Sequence, residues 1–307
     1  MDNTALVFPG QGSQYIGMCK DLNSCCYFNE YFNKASDLFK VDLLSYCING
    51  PNKELSSTYI AQPAIFIHSI IIDQILKANN FNVKAVSGHS LGEYSALVSS
   101  KVISFDECLK ILKVRCSEMQ KANNTYKGGM LAIISEDLPL IQKICSNFSK
   151  TVIANINSAN QIIVSGPNNE IKQAIQLFKY NGIKKVIKLN VSGAFHSPLM
   201  KGANVSLKKA INSVNFNNTD IPIYQNRLPI ENFEGKDIKY NLLHQLTGSV
   251  KWYQTILNMK NNGINKIIEI GPGRVLSKLI QKIDSNIETI SIGNIEDLEN
   301  NEFKFKK

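Results

Sequence analysis

Arginine and histidine are scarce in this chain of 307 residues, and each shortage narrows the chemistry that it can perform. Lysine supplies nearly all of the 34 basic residues, and the arginines are only Arg115, Arg227 and Arg274. An arginine in such a chain indicates a need for its planar guanidinium, which binds a carboxylate through two parallel hydrogen bonds. A general base of the imidazole type must come from one of four residues: His68, His89, His196 and His244.

Patterns typical of metal sites and disulfide frameworks are missing. The seven cysteines are an odd number, and no two of them have C-x-x-C spacing. No group of histidines and cysteines has the spacing of a metal site. We therefore expect reduced, mostly structural thiols in a cytoplasmic protein that needs neither a metal nor a cofactor.

Long hydrophobic runs are also missing. The N-terminus has no basic segment followed by an apolar stretch, so we expect no secretory signal. The longest apolar run, residues 60–72, is interrupted by Gln62, Pro63, His68 and Ser69. A bilayer span needs about 20 apolar residues, so this run predicts a buried helix and no membrane association.

The formal net charge of +9 is positive, but its lysines are dispersed along the chain. No helix-turn-helix, zinc-finger or RNA-binding motif accompanies them, so we expect no nucleic-acid partner. An acidic protein partner or a phosphate-bearing substrate would explain the charge. Solubility and a lysine-rich composition explain it equally well.

The segment Gly88-His89-Ser90-Leu91-Gly92 has the pattern Gly-x-Ser-x-Gly of a nucleophile elbow. An apolar strand is predicted at residues 83–87 and a helix at residues 91–99, which is the context that this motif requires. The turn would expose the hydroxyl of Ser90, and amides opening the helix could stabilise an oxyanion. The alternative is an ordinary turn between a strand and a helix.

His196 is our preferred general base for Ser90, because it lies in a turn where a loop can present its ring to a cleft. His244 is the alternative. His68 lies in an apolar run typical of a packed core, and His89 adjoins Ser90 on a tight turn where neighbouring side chains point apart. An unperturbed imidazole titrates near ~6.5, so we expect activity to fall on the acid side of neutrality.

The group that orients the imidazole is harder to predict. Acids between the serine and histidine, such as Asp137 and Glu170, fall in a predicted inserted domain and are badly placed for this role. The orienting group therefore need not be a carboxylate. Arg115 lies on the helix after the elbow helix, close to Ser90 in topology. It is either the ligand of a substrate carboxylate or one half of a structural ion pair.

The periodicity of apolar residues predicts two interleaved folding patterns. Residues 126–192 have the order β-α-β-β-α-β of a ferredoxin-like domain. Residues 1–125 and 193–307 alternate strands with helices, as expected for an α/β core with a parallel sheet. Helices are expected at residues 27–39, at residues 64–76 with Pro63 near the first turn, and at residues 105–121 after a capping box.

Several ordered motifs together resemble the malonyl-CoA:acyl carrier protein transacylase family of fatty-acid synthesis. The resemblance extends over nearly the whole chain. Its motifs are Phe8-Pro-Gly-Gln-Gly-Ser-Gln14, Gln62-Pro63-Ala64, Gly88-His-Ser-Leu-Gly-Glu-Tyr-Ser-Ala-Leu97, Arg115 with Met119, Gly193-Ala-Phe-His-Ser-Pro-Leu-Met200 and Ile270-Gly-Pro-Gly273.

This resemblance implies an α/β-hydrolase-like core with a ferredoxin-like insert and a ping-pong reaction. Ser90 would take the malonyl group from malonyl-CoA and pass it to the phosphopantetheine thiol of an acidic acyl carrier protein. His196 would act as base and then as acid. The backbone amides of Gln11 and Leu91 would form the oxyanion hole, and Arg115 would bind the malonyl carboxylate.

The resemblance also implies supporting roles for further residues, and we expect the protein to be a monomer. The backbone carbonyl of Gln245 would orient His196, and Asn157 would lie near the pantetheine. Met119 and His89 would belong to the substrate site. Phe195 resembles the malonyl-selective form, because its bulk leaves little room for a 2-methyl branch. The chain departs from the family pattern at Arg227 and around Leu243-His244.

Two other functions share part of this site. A serine hydrolase, such as a thioesterase, would use the same serine and histidine, but it gives no reason for an arginine facing the acyl group. A catalytically silent module that binds carrier protein would not need the intact Ser90, His196 and Arg115.

Overall fold

A computed structural model describes residues 3–301, so the ends of the predicted catalytic domain, residues 1–2 and 302–307, lie outside the described residues. The strands of the described part are β1 Thr4–Phe8, β2 Ala85–Gly88, β3 Gly128–Ile134, β4 Val152–Ser158, β5 Gln161–Pro167, β6 Lys185–Lys188, β7 Ile223–Tyr224, β8 Lys266–Ile270 and β9 Glu288–Ile292. The helices are α1 Phe28–Phe39, α2 Leu43–Asn49, α3 Asn52–Leu55, α4 Thr58–Ala78, α5 Gly92–Ser99, α6 Phe105–Thr125, α7 Leu138–Cys145, α8 Asn168–Tyr180, α9 Lys201–Asn212, α10 Gly235–Leu242, α11 Trp252–Asn261, α12 Val275–Ile283 and α13 Ile295–Asn300.

A five-stranded parallel sheet with the order β7-β2-β1-β8-β9 forms the larger layer. Every residue of β1 and of β2 is buried, as expected for central strands covered by helices on both faces. One face packs on a large core that includes residues of α4, α5 and α6, and the other packs on a core from α11 and α12. The predicted α/β fold with a parallel sheet is therefore confirmed.

Helix α4 is longer than the prediction of residues 64–76. It begins at Thr58, so Pro63 lies inside the helix rather than near its first turn. By length and composition this helix could cross a membrane, but 89% of its most apolar window is buried within the protein. The start was predicted from Pro63, because proline favours the first turn of a helix. The residues before it, including the buried Gln62, belong to the same helix.

The second sheet has four antiparallel strands in the order β4-β5-β3-β6. Along the chain its elements follow the order β3-α7-β4-β5-α8-β6. Residues of α7 and α8 cover one face, and together with the strands they enclose an apolar core separate from the two cores of the parallel sheet.

Three short helices were not predicted from the sequence: α2, α3 and α13. Each spans seven residues or fewer, which is too short for a clear helical period. Two of them are stabilised by side-chain caps, since Asp42 accepts a hydrogen bond from the Ser45 amide and Asn294 accepts one from the Asp297 amide. The remaining predicted helices differ from the observed ones by a few residues at their ends.

Candidate active site

Ser90 lies at a sharp turn between β2 and α5, in the left-handed backbone region with φ of 52°. The flanking glycines permit the close packing of this turn. A Cβ atom on Gly88 would lie 1.9 Å from the backbone carbon of Gly92, and one on Gly92 would lie 1.9 Å from the carbonyl oxygen of Phe8. A larger residue at either position would therefore push the helix away from the sheet.

A cavity of about 140 Å³ opens above this turn. Its polar walls come from α4, α6 and three loops, and they are Gln11, Gln62, His89, Ser90, Arg115 and His196. Its apolar walls include Met119, Met130, Leu189, Val191 and Phe195. Residues far apart in the sequence thus meet around one serine hydroxyl.

The hydroxyl of Ser90 and Nε2 of His196 are 2.8 Å apart. On the other side of the ring, Nδ1 lies 3.1 Å from the carbonyl oxygen of Gln245 and 3.0 Å from that of Gly248. Carbonyl oxygens only accept hydrogen bonds, so Nδ1 carries the proton and Nε2 is free to accept from the serine. The orienting group is a pair of backbone carbonyls, of which Gly248 was not anticipated.

The electrostatic environment holds His196 neutral. Burial, and after it the positive charge of Arg115, lower the pKa of this imidazole from 6.5 to about 3. The expectation of an acid limit close to neutrality is therefore wrong for this histidine. Because the ring stays unprotonated, Nε2 can accept the serine proton throughout the neutral range.

Arg115 is 1% exposed and points its guanidinium at the nucleophile. One terminal nitrogen, Nη2, donates to the Ser90 hydroxyl at 3.1 Å, and Nη1 donates to the side-chain oxygen of Gln62. Its Nε has no hydrogen-bond partner. Within residues 3–301 no carboxylate lies within ion-pair distance of this guanidinium, so the structural ion pair considered above is absent there.

The other predicted substrate residues surround this centre. Gln11 and Leu91 both line the cavity beside Ser90, and so does Phe195. Met119 lines the cavity as well, and its sulfur accepts from the side-chain nitrogen of Gln62 at 3.5 Å.

His89 also lines the cavity, and its Nε2 lies 3.0 Å from Oδ1 of Asn157. Asn157 therefore lies one contact behind the cavity wall. The ring of His89 packs edge-on against Trp252. Burial lowers the pKa of this imidazole, and the ring does not contact the serine hydroxyl.

The remaining histidines lie away from the cavity. His68 is fully buried in α4, and burial lowers its pKa to about 4, as expected for a core histidine. Nδ1 of His244, the alternative base, lies 2.8 Å from the carbonyl oxygen of Tyr240, and its ring packs at a tilt of 52° against the tyrosine ring. It is not among the residues that line the cavity.

Sequence reasoning missed two further residues at this site. Gln62 bridges the arginine and Met119, and its only signal was membership of the motif Gln62-Pro63-Ala64. Asn226 contacts the elbow from the segment that follows the neighbouring strand β7, and nothing in its local sequence indicates this. No group of histidine, cysteine, aspartate and glutamate able to hold a metal occurs among the residues described here.

Comparisons with known proteins show the family to which this chain belongs. The family described as the acyl transferase domain matches residues 5–301. A malonyl CoA-acyl carrier protein transacylase from Bacillus subtilis is 35% identical over 97% of this chain and 96% of its own length.

Solved structures show the same similarity over the whole fold. An acyl carrier protein S-malonyltransferase from Vibrio cholerae has a TM-score of 0.92 at 33% identity, covering 97% of this chain and 99% of its own. A malonyl-transacylase solved in complex with a type II PKS acyl-carrier protein has a TM-score of 0.91 at 31% identity, covering 97% of this chain and 100% of its own.

Proposed function

The chain belongs to the acyl transferase domain family, and from this premise we propose that it is an acyl carrier protein S-malonyltransferase. It transfers the malonyl group of malonyl-CoA to the phosphopantetheine thiol of an acyl carrier protein. The transfer proceeds through a malonyl ester of Ser90, and its product supplies fatty-acid chain elongation.

The observation that carries this proposal is the buried guanidinium of Arg115. An unpaired buried charge is unfavourable, and here it faces the nucleophile with no carboxylate within ion-pair distance among the described residues. A malonyl group bound as a thioester has a free carboxylate at its other end. That carboxylate would neutralise the guanidinium while the thioester carbonyl lies near Ser90. A simple esterase substrate offers no such group.

The first half-reaction forms the acyl-enzyme. The Ser90 oxygen attacks the thioester carbon while its proton moves to Nε2 of His196. The C–S bond then breaks, and the imidazolium returns the proton to the departing CoA sulfur. The carbonyls of Gln245 and Gly248 stabilise the imidazolium through Nδ1–H, in place of the carboxylate of a Ser-His-Asp triad.

The second half-reaction repeats these steps in reverse order. The pantetheine thiol gives its proton to His196 and attacks the malonyl ester. The C–O bond to Ser90 breaks, and the serine oxygen recovers the proton from the imidazolium. No net proton is consumed, and one thioester replaces another.

Negative charge develops on the carbonyl oxygen in both half-reactions. We assign its stabilisation to the backbone amides of Gln11 and Leu91, which line the cavity beside Ser90. The amide of Ser90 itself is already bonded to Oδ1 of Asn226 at 2.7 Å, so it is unsuited to this role. The dipole of α5, whose first turn follows Leu91, favours negative charge at the same place.

The remaining cavity residues set the shape of the acyl site. Phe195 would exclude a 2-methyl branch, and Met119 would support Gln62 and Arg115. Asn157, with His89, would lie along the pantetheine arm.

The finer architecture is also a proposal. Residues 126–192 would form an inserted ferredoxin-like subdomain, and residues 1–125 and 193–307 an α/β-hydrolase-like catalytic domain. The antiparallel order β4-β5-β3-β6 and the separate apolar core support the first assignment. Leu189 and Val191, which line the cavity, follow β6 of this subdomain, so the insert would form one side of the substrate site.

The acyl carrier protein is expected to be acidic, and the net charge of +9 on this chain supports this. The cytoplasmic location, the monomeric state and the independence from membranes and nucleic acid stay predictions. Cell fractionation and light scattering after gel filtration test the location and the oligomeric state.

Mass spectrometry of the intact protein after a single turnover with malonyl-CoA tests the proposed function. A malonyl adduct that maps to Ser90 and disappears on addition of carrier protein supports it. Rapid release of free malonate without carrier protein would indicate a hydrolase. The absence of any adduct would indicate a module that binds carrier protein without catalysis.

A further inference from the structure

The backbone of Ser90 is held in a conformation that a serine rarely adopts. Its φ of 52° lies in the left-handed region, which is unfavourable for a residue other than glycine. Such a conformation persists only where the surroundings enforce it. Gly88 and Gly92 make room for the turn, but they do not by themselves hold Ser90 in it.

Asn226 supplies hydrogen bonds on both sides of this residue. Its Oδ1 accepts from the Ser90 amide at 2.7 Å, and its Nδ2 donates to the Gly88 carbonyl oxygen at 2.6 Å. One side-chain amide therefore spans the turn and satisfies one backbone group on each side of Ser90. A third bond acts on the same residue, since Nε2 of Gln245 donates to the Ser90 carbonyl oxygen at 2.8 Å.

Asn226 is in turn held firmly. It is 1% exposed and follows β7, the parallel neighbour of β2. Its backbone amide donates to Oε2 of Glu93 at 2.8 Å, and its carbonyl oxygen accepts from the Lys251 amide at 3.0 Å. Glu93, on the helix that follows the nucleophile, also accepts from the side chain of Gln225. Both the helix and the neighbouring strand therefore position this amide.

We propose that Asn226 is a positioning residue that holds Ser90 in its left-handed conformation, with Glu93 fixing Asn226 in place. Asn226 is not among the described residues that line the cavity, and its side-chain hydrogen bonds go to the backbone of Ser90 and Gly88 rather than to the serine hydroxyl or His196. It acts by keeping the Ser90 hydroxyl 2.8 Å from the imidazole nitrogen. It also occupies the Ser90 amide, which leaves the next amide along the chain, that of Leu91, for the oxyanion. This inference rests on the proposed function of Ser90.

The test compares Asn226→Ala and Asn226→Asp with a matched control, Asn241→Ala. Asn241 is a buried asparagine of the same polar network, but its side chain bonds Gln225 and Arg227 and not the elbow. The aspartate variant keeps the shape and the acceptor for the Ser90 amide and loses the donor to Gly88. If the alanine variant fails to fold, the acylation rate of the aspartate variant tests the proposal instead. Melting temperatures are recorded for all three.

We expect Asn226→Ala to lower the single-turnover acylation rate about 10- to 100-fold, since a misplacement of about 1 Å can cost this much. The KM for malonyl-CoA should stay within about 3-fold, because the groups that bind substrate are untouched. Asn226→Asp should fall between wild type and alanine. Asn241→Ala, at a comparable loss of melting temperature, should acylate within about 3-fold of wild type.

A fluorophosphonate probe for nucleophilic serines separates this inference from the proposed function. The Asn226 variants should be labelled more slowly than the wild type and than Asn241→Ala. Folded Asn226 variants that acylate and label at the wild-type rate would overturn the positioning role. Equal rate losses in Asn241→Ala would also overturn it. A wild-type protein that is labelled by the probe but takes no malonyl group would overturn the proposed function instead.

Discussion

Replacement of Arg115 by alanine should change the acyl selectivity of the enzyme rather than abolish its chemistry. The guanidinium is the only arginine group that lines the cavity, and it lies 3.1 Å from the nucleophilic oxygen. A malonyl group has a carboxylate to pair with it, and an acetyl group does not. The ratio of kcat/KM for malonyl-CoA over that for acetyl-CoA therefore measures the role of this residue directly.

The size of the effect follows from the contacts in the structure. Each hydrogen bond to a charged group contributes about 1.5–3 kcal/mol, and the planar fork can make two with one carboxylate. Part of this is offset because the guanidinium must release its bonds to Ser90 and Gln62. The contribution of one such bond corresponds to a loss of at least about 10-fold, at about 1.4 kcal/mol per decade.

Acetyl transfer should be kept or improved in Arg115→Ala, for two reasons. The variant has no unpaired guanidinium that would face the apolar acetyl group. The positive charge also lowers the pKa of His196, so its removal should raise that pKa and make the imidazole a stronger base. Any acid limb of acetyl transfer should accordingly lie at higher pH in this variant than in the wild type.

The assay measures kcat/KM for both thioesters in wild type, Arg115→Ala, Arg115→Lys and the control Arg227→Ala. Arg227 donates to Asn241 and packs over Tyr240, away from the cavity. The lysine variant keeps the charge and loses the fork, so its ratio should be intermediate. An unchanged ratio in folded Arg115→Ala would refute the assignment of a carboxylate ligand to this residue.

Four further predictions follow from the same structure. Ser90→Ala should take no malonyl adduct in mass spectrometry while keeping a wild-type circular dichroism spectrum, and labelling at a near-normal rate would place the nucleophile elsewhere. His196→Ala should lower the acylation rate about 10²–10⁴-fold. The pH profile of the wild-type kcat/KM should show no acid limb at ~6.5, since the pKa of His196 is lowered to about 3. An acid limb at ~6.5 that disappears when His196 is replaced would contradict this. The pKa of His68 is lowered to about 4 in the folded state, so the free energy of unfolding should fall as the pH drops from 6.5 towards 4. In urea titrations, His68→Gln should remove up to about 3 kcal/mol of this loss of stability. An unchanged pH dependence in the variant would exclude His68 as its cause. Transfer to carrier protein should slow as salt rises while transfer to free pantetheine does not, and equal responses would argue against docking on a basic surface.

Local sequence determined the elements whose stabilising contacts are short in range. The capping box is confirmed, because Ser104 and Glu107 are three residues apart and bond each other's backbone amides at the start of α6. The nucleophile elbow could also be predicted, because its glycines and serine lie within one segment of five residues. The parallel sheet could be predicted because strands alternate with helices along the chain, and each type of element has its own period of apolar residues.

The tertiary structure decided everything that depends on contacts between distant segments. Ser90 and His196 are 106 residues apart, and the carbonyls that orient the imidazole lie a further 49 and 52 residues along the chain. Backbone carbonyls carry no signature in the sequence, because every residue has one. The Gly248 contact could not be predicted for this reason.

Burial is the second property that only the fold decides. The same imidazole titrates near ~6.5 in water, and its lowered pKa arises from enclosure and from a guanidinium on another helix. Asn226 looks like any asparagine after a short strand until β7 is paired with β2 and its side-chain amide meets the turn at Ser90. Residue types and local spacing therefore identified the reactive groups. Their protonation, orientation and strained backbone depend on which segments the sheet brings together.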